Sequence, residues 1–126
     1  MRTAGLLIAL ATIALAADAP KLTGSWTGES LCVGSLPSCK NEHVIYVFGE
    51  LDRNGHVSGH ADKVVDGQRI NMGEFDMIYD PKTSTLTWKN PVGVWKYSVK
   101  GDEIEGTMTL NSGELVRRAK VKKDRP

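Results

Sequence analysis

The stretch Phe75-Asp76-Met77-Ile78-Tyr79-Asp80-Pro81-Lys82-Thr83-Ser84-Thr85-Leu86-Thr87-Trp88 decides how this chain is read. Apolar and polar residues alternate, a cluster of turn formers intervenes, and the alternation resumes. A period of two places successive side chains on opposite faces of a strand, and Asp80-Pro81 supplies the fixed φ of a tight turn. The same pattern extends in both directions. It predicts strands over Leu22 to Val33, Glu42 to Leu51, His56 to Val65, Gln68 to Tyr79, Ser84 to Asn90, Val92 to Lys100, Glu103 to Asn111 and Glu114 to Lys123. Asp52-Arg53-Asn54-Gly55, Asp66-Gly67, Asn90-Pro91, Gly101-Asp102 and Asn111-Ser112-Gly113 punctuate the rest as hairpin turns.

No segment beyond Lys21 keeps a period near 3.6, and no connection holds a crossover helix. Parallel pairing needs a crossover of about a dozen residues or more, so the strands pair antiparallel. The expected fold is all-β: a single up-and-down antiparallel barrel of about eight strands, because closure removes the two free edges of an open sheet. A sandwich is the alternative, and it requires one or two of the hairpins to be Greek-key connections instead.

Met1-Arg2 followed by the uncharged run Ala4 to Ala17, ending in Ala14-Leu15-Ala16, predicts a secretory signal over residues 1–16 and a mature domain over residues 17–126. Ala17-Asp18-Ala19, ahead of Pro20, offers a second cleavage site. The run is shorter than the roughly 20 apolar residues that cross a bilayer, and the first cysteine, Cys32, lies far from the cleavage point, so no membrane anchor is expected. Secretion or a periplasmic location follows. Sixteen basic and fifteen acidic residues nearly cancel, which points to no nucleic-acid partner. The basic run Arg117 to Arg125 reads as the solvated face of a strand, since Ala119 and Val121 interrupt it.

Cys32 and Cys39 are the only cysteines. In an exported chain a close pair reads as a disulfide, here around a loop holding Gly34 and Pro37. A metal site is the sharper alternative, but no second cysteine pair or finger-spaced histidine pair accompanies it, and no metal is expected.

Turning the apolar set of each strand toward the core points Trp26, Val57, Gly59, Ala61, Ile70, Met72, Phe75, Met77, Tyr79, Leu86, Trp88, Trp95, Tyr97, Val99, Ile104, Gly106, Met108 and Leu110 inward. The strand His43 to Phe48 is apolar on both faces and stays unassigned. Gly73 breaks the phase between Met72 and Phe75, as a bulge does. In the last strand Arg117 shares its face with Leu115, Ala119 and Val121. A buried cation needs a partner, and Trp26 on the neighbouring first strand offers a cation–π contact that would close the barrel.

Gly24-Ser25-Trp26 on the first strand, with an inward arginine on the last, resembles the G-x-W and closing-arginine signature of the calycin superfamily, which groups lipocalins, fatty-acid-binding proteins and avidins. Ala61-Asp62-Lys63-Val64-Val65-Asp66-Gly67-Gln68 and Gly93-Val94-Trp95-Lys96-Tyr97 also resemble small secreted bacterial proteins of uncharacterised role. The resemblance implies a lipocalin-like barrel with a ligand in its mouth.

No catalytic constellation emerges. His56 and His60 lie on the face opposite Val57 and Ala61, outside the barrel. Glu74 and Asp76 lie opposite Phe75 and Met77, and the serines lack a G-x-S-x-G elbow. No glycine loop suits a phosphate, and no cofactor is expected. What remains is the interior, where bulky and small residues mix. It is either filled or open at one end, where Trp88, Trp95, Tyr97, Tyr46 and Met108 would hold a small apolar or amphipathic ligand. The alternative partner is a protein, such as a hydrolase inhibited by the stapled loop Val33 to Ser38.

Overall fold

The computed structural model describes residues 20–125, so the predicted signal and its cleavage point lie outside the described residues. Eight strands run in order: β1 (Gly24–Cys32), β2 (Glu42–Leu51), β3 (His56–Val65), β4 (Gln68–Asp80), β5 (Thr85–Asn90), β6 (Gly93–Lys100), β7 (Glu103–Leu110) and β8 (Leu115–Lys123). Each pairs antiparallel with the next and β8 returns to β1, which closes the barrel. Every connection is a meander, so the sandwich alternative falls. The β3–β4 turn shows why such short links suffice: Asp66 and Gly67 both take positive φ, 52° and 79°, as a two-residue hairpin requires.

Most of the expected inward set is buried, including Trp26, Val57, Ala61, Phe75, Met77, Leu86, Trp95, Tyr97, Ile104 and Met108. Trp88, Val99 and Leu110 are partly buried against that core. The unassigned strand β2 turns Val44, Tyr46 and Phe48 inward. Cys32 and Cys39 are bonded, which fits an extracellular or periplasmic protein.

Two expectations need correction. Ile70 and Met72 do not point into a core; they are 43% and 42% exposed. The cause is the pairing of β4 with β5, which extends only over Ile78, Tyr79 and Asp80. The first half of β4 therefore has no neighbour on that side, and its inner face is uncovered. The phase break at Gly73 is present as a register shift opposite Ala61 and Asp62, with Gly73 at φ 125°. The free edge is blunted in the usual way: Asn71 Oδ1 accepts from the Gly73 N–H at 2.7 Å, and the charges of Glu74 and Asp76 follow. Arg69 pins this arm by donating from Nε and Nη2 to Asp62 Oδ2, at 3.0 and 2.8 Å.

The second correction concerns closure. Trp26 and Arg117 do lie on the two strands of the seam, but Trp26 faces Lys123 while Arg117 faces Cys32. The cation over the Trp26 ring is Lys123 Nζ, at 5.6 Å. Barrel strands are tilted and staggered, so parity fixes which face a side chain takes and leaves its height undetermined. Trp26 instead anchors one end of the barrel. Its Nε1 donates to the Leu22 carbonyl at 2.8 Å, and Leu22 is itself buried in the same core on the chain's way into β1.

Candidate functional site

Buried Leu22 and Trp26 plug the interior at one end, leaving depressions around the plug, beside Pro20, Lys21 and Lys123; the interior at the other end is not plugged. There, between the β1–β2 loop and the β3–β4, β5–β6 and β7–β8 turns, lies a cavity of about 360 Å³. Tyr46, Trp88, Trp95 and Met108 line it, four of the five residues expected there, together with Val44, Leu110 and Val116. It opens where β4 and β5 diverge. Phe75 and Trp88 span the divergence with ring centroids 6.1 Å apart.

The fifth residue, Tyr97, is corrected: it does not line this cavity. It sits in the layer beneath, stacked on Trp95 with centroids 5.3 Å apart and planes at 6°. The cause is its cross-strand partner Gly106, whose missing Cβ leaves room for the Tyr97 ring to lie over β7. The Tyr97 hydroxyl donates to the Tyr46 hydroxyl at 3.4 Å. Burial pushes the Tyr97 phenol well above its ordinary range. It raises Tyr46 as well, opposed there by the Tyr97 hydrogen bond and the Arg117 charge.

Ser30, Glu42 and Arg117 form a polar corner of the wall, which is otherwise apolar apart from Asn90. The Arg117 side chain is 19% exposed, with Nη1 donating to Ser30 Oγ at 3.0 Å and to the Ser30 carbonyl at 3.3 Å. Nη2 donates to the Lys40 carbonyl at 2.8 Å. Glu42 lies between two cations, its Oε1 3.6 Å from Arg117 Nη1 and its Oε2 3.9 Å from Lys63 Nζ. The guanidinium thus satisfies the buried-cation requirement with two carbonyls, the Ser30 hydroxyl and the nearby Glu42 charge instead of an indole face.

Leu36, Met72 and Val92 form the rim, all substantially exposed. Leu36 rides on the loop stapled by Cys32–Cys39. Asn41 Oδ1 accepts from the Cys32 N–H at 2.8 Å, and Glu114 Oε2 accepts from the Ser35 N–H and Oγ at 3.1 and 2.8 Å. Those two bonds hold the Glu114 carboxyl below the usual range. The rim is therefore held at several points.

The histidines lie elsewhere. His56 Nδ1 is 3.4 Å from Asp76 and His60 Nε2 is 3.6 Å from Asp62, both on the outer face. Among the described residues no group of three or more His, Cys, Asp or Glu side chains is arranged to hold a metal ion. A larger depression, about 760 Å³, lies outside the barrel over β1, β8, β7 and β6, lined by Glu29, Lys96, Glu105, Arg118, Lys120 and Lys122. Those charged side chains surround a floor that includes Leu31, Tyr97, Gly106 and Ala119; we place the candidate site in the mouth instead, where several aromatic side chains converge on a few polar groups.

No family model matches the sequence, and no curated protein matches it. Among solved structures, Rv2717c from M. tuberculosis is similar, with a TM-score of 0.51 and 14% sequence identity over 93% of this chain and 98% of that one. At that identity the likeness extends to the barrel fold alone.

Sequence reasoning missed Ser30, Glu42 and the rim residues. Ser30 and Glu42 carried a signal, since each shares the inward parity of a buried apolar residue on its own strand, Trp26 and Val44 respectively. Leu36 carried none, because nothing in a loop's sequence says which end of the barrel it covers.

Proposed function

We propose that this protein is an exported, non-enzymatic binding protein that holds a small apolar or amphipathic molecule in the mouth of its barrel. The cavity supports this reading: its volume of about 360 Å³ exceeds the lower bound near 300 Å³ for ligand pockets, and its walls are mostly aromatic and aliphatic, with a polar corner at Ser30, Glu42 and Arg117 and one further polar residue, Asn90. The calycin-like Gly24-Ser25-Trp26 opening points the same way. Export rests on the apolar N-terminal run and is favoured by the disulfide.

The test is binding of N-phenyl-1-naphthylamine, a neutral dye that brightens in apolar surroundings. One equivalent should bind, and Leu36→Glu, at an exposed rim position, should weaken it without unfolding the domain. A dye that stays dark, or binds both proteins equally, overturns the mouth as the site. A second reading, a protein-interaction module, draws on Leu36 standing 40% exposed on a disulfide-stapled loop. A filled mouth would favour it.

A further inference from the structure

We infer that the mouth selects ligands carrying an anionic head, a carboxylate above all, on a compact aromatic or apolar body, with Arg117 and Tyr46 as the receiving groups. The inference rests on the binding function proposed above and adds the charge of the ligand to it.

An arginine side chain offers five N–H donors. Arg117 makes three hydrogen bonds, two of them from Nη1 to the same residue. Among the described residues Nε and part of Nη2 have no acceptor, and Glu42 comes no nearer than 3.6 Å, at Nη1, where it adds an ion pair and no hydrogen bond. A guanidinium with spare donors on the wall of an apolar cavity is a receptor for a planar anion, whose two oxygens match its fork.

Tyr46 adds a second donor. Its hydroxyl oxygen accepts from Tyr97, which leaves its own proton free to donate, and its ring lines the cavity. Glu42 argues for a cation instead, and the local balance decides between them. Glu42 is already set between Arg117 and Lys63, so this corner carries two cations and one anion. An incoming carboxylate completes the count, whereas an ammonium group would meet two like charges.

The test compares three ligands of one shape by calorimetry at pH 7: naphthalene-2-carboxylate, naphthalene-2-carboxamide and naphthalen-2-ylmethylammonium. The carboxylate should bind about tenfold or more tighter than the amide, the equivalent of one charge-assisted hydrogen bond, with the ammonium weakest. Arg117→Gln should abolish the difference by weakening the carboxylate while leaving the amide. If that variant unfolds, Glu42→Gln keeps the test: removing the competing anion should tighten the carboxylate and leave the amide unchanged. Equal affinities for carboxylate and amide, or an ammonium that binds tightest, overturn the anion preference while leaving the mouth as a site. Failure of all three to bind overturns the site and this inference with it.

Discussion

Arg117 and Arg118 are adjacent in β8, yet their replacement by alanine should have unequal consequences. Arg117 stitches β8 to the end of β1 and to the β1–β2 loop through hydrogen bonds to Ser30 Oγ, the Ser30 carbonyl and the Lys40 carbonyl, at 3.0, 3.3 and 2.8 Å. Its removal also leaves Glu42 with only Lys63 at 3.9 Å. A hydrogen bond from a charged group contributes about 1.5–3 kcal/mol when buried, but these sit near the rim, where water can replace part of each. We expect Arg117→Ala to cost about 1–3 kcal/mol. Arg118 is exposed, on the outer face of the same strand. Its replacement should cost at most about 0.5 kcal/mol, as for surface sites in general. Urea melts with the disulfide intact resolve this easily, since with a slope of about 1–2 kcal/mol/M the Arg117 variant should lose roughly 1 M in midpoint. Equal small losses would mean that Arg117 does not face inward as described, and a larger loss at Arg118 would mean that β8 is displaced by one residue.

Two further expectations test the layer beneath the mouth. A Cβ at Gly106 would overlap the Tyr97 ring, which is held in place by stacking on Trp95, so Gly106→Ala should destabilise the fold by about 1–3 kcal/mol; a thermal melt within error of the parent would show that Tyr97 can move aside. Burial raises the Tyr46 and Tyr97 phenols above their unfolded values, so the folded state holds these protons more tightly. The associated stability is full below an unfolded phenol value near 10 and is lost as pH climbs beyond it. Tyrosine ionisation at 295 nm should therefore lag for these two residues and then coincide with loss of near-ultraviolet circular dichroism, whereas simple titration of all three tyrosines with the fold intact would refute it.

The strands were legible because each alternates against a core on one side and water on the other, and their turns carry Gly, Pro, Asn or Asp where φ demands it. Legibility failed where that premise failed. Ile70 and Met72 alternate as core residues do, yet β5 departs from β4 before reaching them, so the face they share has nothing to pack on. A pairing that stops after Ile78 depends on where two strands diverge in space, which no local pattern encodes. Arg117 shows the same limit in another form: parity gave its face, while its partner depended on the stagger of β8 against β1.

Those two failures fall at the same end of the barrel, and together they account for the candidate site. Had β4 paired along its whole length with β5, the divergence that opens the cavity beside Trp88 would be sealed by a ladder, and Met72 would fill the space it now borders. Had Arg117 reached Trp26, its guanidinium would lie at the plugged end, and the mouth would hold Glu42 without its nearer cation. The opposite end shows what a plugged terminus looks like in this chain: Leu22 and Trp26 both buried, the indole N–H bonded to a carbonyl, and Lys123 above the ring. The same sequence that plugs one end leaves the other with an apolar cavity, an exposed apolar rim and a cation with donors to spare. That contrast within one small domain is what makes the mouth, and not the barrel as a whole, the place to look for a ligand.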